Sequence, residues 1–185
     1  MLDVRCSLMA SRVQILGIRF FNGNVDEAVA LMFQHGGFLI APSGTCFARL
    51  REDERYRRAV LAADMALADS GLMVLLWRFL QRRKVERISG LKYLKHLLRK
   101  LQGEGTGKIC WVIAGERDKQ KLVEWSRRED FTLDRENCYV APWYGMDIDD
   151  RNLLGLVERH RPGQVIIAIG GGAQEKLGYY LRENL

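Results

Sequence analysis

The chain has 185 residues, 48% of them apolar, and a net charge of +6 with a pI near 9.3. That is enough apolar material for a sizeable core, so a single domain over 1–185 is expected, with 1–11 a flexible N-terminal segment. No apolar stretch approaches the ~20 residues that span a bilayer, Met1 to Ala10 lacks the apolar core of a signal peptide, and Cys6, Cys46, Cys110 and Cys138 form no C-x-x-C pair. Membrane-spanning, secreted, zinc-binding and redox classes are set aside in favour of a cytoplasmic protein with free thiols.

Val13 to Ile18 is the first predicted strand. Asn24-Val25-Asp26-Glu27 has the spacing of a capping box and opens a helix that carries Ala28, Leu31 and Met32. Phe38 to Ala41 is the second strand, after which Pro42-Ser43-Gly44 turns the chain into a helix of roughly five turns that ends near Ala63. Met65 to Ala68 is a short apolar run suited to a buried parallel strand. Lys108 to Ile113 and Asn137 to Ala141 supply later strands, and helices near Asp118 to Glu129 and Asp149 to Arg161 fill the intervals. Gln164 to Ile169 is a last apolar run. This alternation, without linker or repeat, predicts an α/β fold: a Rossmann-like, mostly parallel sheet with helices on both faces.

In such sheets ligands bind in the crevice beyond the carboxyl ends of the strands. Asp69-Ser70-Gly71 and the run Gly170-Gly171-Gly172-Ala173-Gln174-Glu175 stand there, each directly after an apolar run, and Glu86-Arg87-Ile88-Ser89-Gly90 is a third polar stretch of the same kind. Together they resemble the motifs of the WecG/TagA/CpsF family of bacterial glycosyltransferases, which carries an aspartate after a short strand, then E-R-x-x-G, then a G-x-P-x-Q-E turn. The resemblance runs from Val13-Gln14-Ile15-Leu16-Gly17 to the chain end. Ala41-Pro42-Ser43 stands where the family has T-x-N, Ser70 where it has glycine, and Gly172 where it has proline. Family chains continue past the Q-E turn into a C-terminal tail associated with membrane attachment and with completing the active site, whereas this sequence stops at Leu185. The resemblance therefore implies that some substrate contacts of the family lie outside these residues.

What the resemblance implies is an inverting transfer of a hexose or N-acetylhexosamine from a UDP-sugar to a polyprenyl-diphosphate-linked acceptor in cell-envelope or exopolysaccharide synthesis, without a metal. Asp69 is the candidate general base, because the attacking hydroxyl must lose its proton to a group within hydrogen-bond reach. Its alternative role is to cap the helix that begins near Gly71. Arg87 is the candidate diphosphate ligand, since a guanidinium presents a planar fork of donors at any working pH; an ion pair or plain exposure is its alternative. Gln174, after glycines that let backbone approach a ligand closely, is the candidate reader of a sugar hydroxyl or the uracil edge, against an ordinary turn opening the last helix. Gly171, Gly172, Gly115, Tyr144, Ser43 and Thr45 complete the expected substrate-binding set, although capping alone also explains a Pro-Ser-Gly-Thr turn.

Two patterns mislead. Gly103-Glu104-Gly105-Thr106-Gly107-Lys108 looks like a P-loop, yet its spacing fails and it precedes a strand, so it is a loop. Asp147-Ile148-Asp149-Asp150 looks like a metal-binding D-x-D, but it sits at a helix start, where acids are favoured by capping and by the macrodipole.

The basic stretch from Arg49 to Arg87, interleaved with Trp77, Phe79 and Leu80, suits an anionic membrane surface and a peripheral place at the inner face of the plasma membrane. It equally suits solvated helix faces. A nucleic-acid-binding module is the rival class, motivated by the pI but lacking any reading motif, and no nucleic-acid partner is expected. A non-catalytic relative that binds a nucleotide-sugar is a third reading. Donor sugar, acceptor lipid and homo-oligomeric state stay open.

Overall fold

The computed structural model describes residues 12–44, 46–82, 84–104, 109–129, 131, 133 and 135–185. The expectations for 1–11, Thr45 and Gly105 to Lys108 lie outside the described residues. The chain divides into two compact units, one ending at Leu98 and the other Arg99–Leu185.

The first unit opens with a hairpin, β1 (Arg12–Ile15) and β2 (Ile18–Phe21). The single strand expected over Val13 to Ile18 is thus folded in two. Leu16 and Gly17 both take positive φ, 52° and 84°, the two-residue turn whose twist matches the flanking strands. Helix α1 (Val25–His35) starts at the expected capping box: Asn24 Oδ1 accepts from Glu27 N at 2.9 Å, and Glu27 Oε2 accepts from Asn24 N at 3.0 Å. After β3 (Leu39–Ile40), the long helix expected up to Ala63 is broken into α2 (Cys46–Glu52) and α3 (Glu54–Leu61). The break is Asp53, whose carboxylate accepts from Tyr56 N at 2.9 Å and so starts a new helix instead of continuing the old one. Strand β4 (Met65–Ala66) then leads to α4 (Gly71–Gln81) and α5 (Gly90–Glu104), and the boundary between the units falls inside α5.

The sheet order is β1-β2-β4-β3, parallel except at the β1 edge. Ile18, Phe20, Ile40, Tyr56, Val60, Ala66 and Val85 form its core, and Met73, Val74 and Trp77 of α4 pack against it.

The second unit is a parallel sheet ordered β6-β5-β7, from β5 (Ile109–Ile113), β6 (Cys138–Val140) and β7 (Gln164–Ala168), with α6 (Glu116–Arg128), α7 (Arg151–His160) and α8 (Ala173–Asn184). All five residues of the central β5 are buried, as expected for a strand covered on both faces. Cys110 and Val112 on one face of β5 pack with Leu153 and Val157 of α7 and Leu177 and Leu181 of α8. The chain is α/β with parallel-dominated sheets and flanking helices, the Rossmann-like class that the alternation predicts.

Candidate active site

Three loops of the first unit meet at the carboxyl ends of β3 and β4. The ladder between those strands is prolonged by Leu67 N donating to Ile40 O at 2.8 Å, which buries Leu67 and Ala68 completely. The backbone then turns sharply, with Asp69 N donating to Leu67 O at 2.9 Å, and Asp69 is left half-buried at the rim. Ser70 is the N-cap of α4: its Oγ accepts from Met73 N at 3.2 Å. The capping role weighed for Asp69 therefore belongs to its neighbour, and the Asp69 carboxylate has no hydrogen-bond partner among the described residues.

The second loop supplies Arg87. Val85 and Ile88 are buried, so Glu86 and Arg87 between them project outward. Asn22, just past β2, holds this stretch as a neighbouring strand would: its Oδ1 accepts from Glu86 N at 2.9 Å and its Nδ2 donates to Lys84 O at 3.4 Å. Arg87 Nε donates to the Asp69 carbonyl at 3.0 Å, and neither Nη group hydrogen-bonds a described residue. The guanidinium lies over Gly71, where an added Cβ would stand 3.6 Å from it. Beside it, a hydrogen bond from Lys84 and then the charge of that ammonium at 2.6 Å hold the exposed Glu86 carboxyl below its usual range.

The third loop is Ala41 to Gly44. A Cβ on Gly44 would meet Ser70 Oγ at 2.9 Å, and one on Gly90 would meet the Ala41 methyl at 3.1 Å, so this loop touches both of the others. Ser43 is exposed on it. Asp69, Arg87 and Ser43 thus stand on converging loops, while Thr45 lies outside the described residues.

The remaining candidates belong to the second unit. Gly170 and Gly172 take φ of 99° and 95°, the left-handed region that favours glycine. Gly172 N donates to the buried Glu175 carboxylate at 2.6 Å, and Gln174 Nε2 contacts its other oxygen at 3.5 Å. Glu175, passed over in the sequence, is the pin of this turn; the signal was its place three residues into the helix after a glycine run. Gly171 is exposed in the same turn, and Gly115 is half-buried just past the carboxyl end of β5, where it opens α6.

Tyr144 is engaged elsewhere. Its hydroxyl donates to Asp150 Oδ2 at 2.5 Å, and the Tyr139 hydroxyl lies 2.9 Å from both oxygens of the same carboxylate. Asp150 also caps α7, accepting from Leu153 N at 2.9 Å, which is the capping role weighed for the acidic cluster. Burial, then hydrogen bonding to Asp150 and its charge, push the Tyr139 phenol up to about 12 and raise that of Tyr144 further, so both remain donors. Trp143, next to Tyr144, is 98% exposed.

The model for the Glycosyl transferase WecG/TagA/CpsF family matches residues 13–185, nearly the whole chain. The chain belongs to this family. It is accordingly a glycosyltransferase of cell-envelope polysaccharide synthesis, and family membership implies a nucleotide-sugar donor and a sugar acceptor. No curated protein matches the chain. No helix among the described residues is long and apolar enough to cross a membrane. Within the glycosyltransferase, the converging loops around Asp69 bring together a carboxylate and a guanidinium whose outer nitrogens, like the carboxylate oxygens, hydrogen-bond no described residue.

Proposed function

We propose that the protein transfers a hexose or N-acetylhexosamine from a UDP-sugar to a polyprenyl-diphosphate-linked sugar, with inversion, at the inner face of a bacterial plasma membrane. The observation that carries this reading is the pairing at 3.0 Å of Arg87 Nε with the carbonyl of Asp69, whose own carboxylate is unengaged among the described residues. The acceptor hydroxyl oxygen attacks the anomeric carbon opposite the diphosphate. As the new C–O bond forms, the bond to the diphosphate oxygen breaks, UDP leaves with the electron pair, and the hydroxyl proton passes to Asp69. The Nη groups of Arg87 meet the diphosphate charge, so no divalent ion takes part. Gln174, with the glycine turn at Gly171 and Gly172, reads the nucleotide or the sugar hydroxyls. Gly115 and the ring of Tyr144 flank the donor, and Ser43 with Thr45 contributes hydroxyls for substrate.

Calorimetric titration with UDP tests the donor half. Affinity should be the same with magnesium and with a chelator, and about tenfold weaker in each of Arg87→Ala and Gln174→Ala, the loss expected for hydrogen bonds to a charged ligand. Absent UDP binding, with salt-sensitive affinity for generic nucleic acid, would sink this reading and favour the rival class.

A further inference from the structure

Helix α4 has two apolar faces, and only one is covered. Its inner residues Met73, Val74 and Trp77 pack on the core of the first unit. On its outer side Leu72, Leu75, Leu76, Phe79 and Leu80 are 66%, 65%, 50%, 82% and 69% exposed. Their spacing of i, i+3, i+4, i+7 and i+8 makes them one continuous stripe, and soluble proteins rarely leave such a patch without a purpose.

Charge says what covers it. Ser70 to Val85 carries Arg78, Arg82, Arg83 and Lys84 and no acidic residue. Lys84 is paired with Glu86 at 2.6 Å, whereas the exposed Arg78 and Arg82, along one edge of the stripe, make no ion pair with a described residue. A second copy docked by a two-fold axis would set this acid-free border against itself. An anionic lipid surface answers it.

We propose that the outer face of α4 is the surface by which the protein lies on an anionic bilayer, with the five apolar side chains below the headgroups and Arg78 and Arg82 on the lipid phosphates. The surface stands on exposure and charge alone. Its consequence rests on the function proposed above: Asp69 directly precedes the N-cap of α4, so a helix lying in the interface holds the Asp69 and Arg87 loops at headgroup depth, where the sugar of a lipid-linked diphosphate is presented.

Cosedimentation with sucrose-loaded vesicles tests it. The intact protein should bind vesicles of phosphatidylcholine with phosphatidylglycerol, and lose most of that binding on pure phosphatidylcholine. The double variant Leu76→Glu with Phe79→Glu should bind at least ~10-fold less while keeping its far-UV circular dichroism, because both residues are exposed. In Phe79→Trp, emission should shift to the blue on vesicles and be quenched by brominated acyl chains. Wild-type binding unaffected by the glutamates, an absence of wild-type binding, or a Phe79→Trp emission indifferent to lipid would each overturn the proposal. So would a wild-type dimer in light scattering that the glutamates dissociate and that vesicles do not displace. UDP titration of the same double variant should match wild type. Vesicle binding in a wild-type protein that fails to bind UDP would reject the donor reading and leave the surface standing.

Discussion

Asp69 and Asp150 both stand just ahead of a helix, and they end in opposite states. Asp150 is buried, with both carboxylate oxygens engaged by Tyr139, Tyr144 and the Leu153 amide. Asp69 is half-buried with a carboxylate that no described residue engages. The neighbour on the C-terminal side makes the difference. Ser70 can cap and does, which releases Asp69 from the helix end, whereas Arg151 cannot, so Asp150 caps α7 itself. A carboxylate that is fully hydrogen-bonded serves the fold; one displaced from the cap by a single residue is left available to a substrate.

The sharpest way to break this contrast is to remove each charge in turn. Asp69→Asn should lower transferase activity by about 10²–10⁴-fold, the range for a general base, while a urea titration shows stability nearly unchanged. Asp150→Ala should do the reverse in the same titration and destabilise the protein by ~3 kcal/mol, because it deletes a cap and strands two tyrosine hydroxyls. A strongly destabilised Asp69→Asn would mean that the Asp69 carboxylate serves the fold as Asp150 does, and the contrast falls.

Ser70→Ala gives a smaller and more pointed result. Losing the cap should cost about 1 kcal/mol, and the vacated helix end becomes a competitor for the Asp69 carboxylate, so activity should fall as well. Activity unmoved by Ser70→Ala would mean that Ser70 does not keep Asp69 free. The smallest effect concerns Tyr139. Its folded pKa near 12 lies above the ordinary value of 10, so its contribution to stability is complete below pH 10 and is lost as pH rises towards 12. Tyr139→Phe should flatten thermal stability over that interval relative to wild type, and an unchanged alkaline slope would argue against the hydrogen bond to Asp150.

Much of the candidate site was legible in sequence. Asp69 and Gln174 followed from polar residues placed directly after apolar runs, and Arg87 from its place in the E-R-x-x-G stretch; its projection between the buried Val85 and Ile88 came only with the structure. What could not be read was their engagement: whether Asp69 caps and whether Tyr144 is free. These depend on which donor or acceptor reaches a group first. Asn22 is the clearest miss, because it bonds residues more than sixty positions away and carries no local signal.

The sequence by itself determined the α/β class, the capping box at Asn24 and the order of the apolar strands, because capping and hydrophobic periodicity act within a few residues. Only the tertiary structure decided that the first strand folds at Leu16-Gly17, that Asp53 divides a helix, and that loops around Ala41, Asp69 and Arg87 converge. Turns and helix breaks in this chain are contests between nearly equal local hydrogen bonds, and packing chooses the winner. Loops distant in sequence meet only because parallel pairing of β3 with β4 sets their ends side by side.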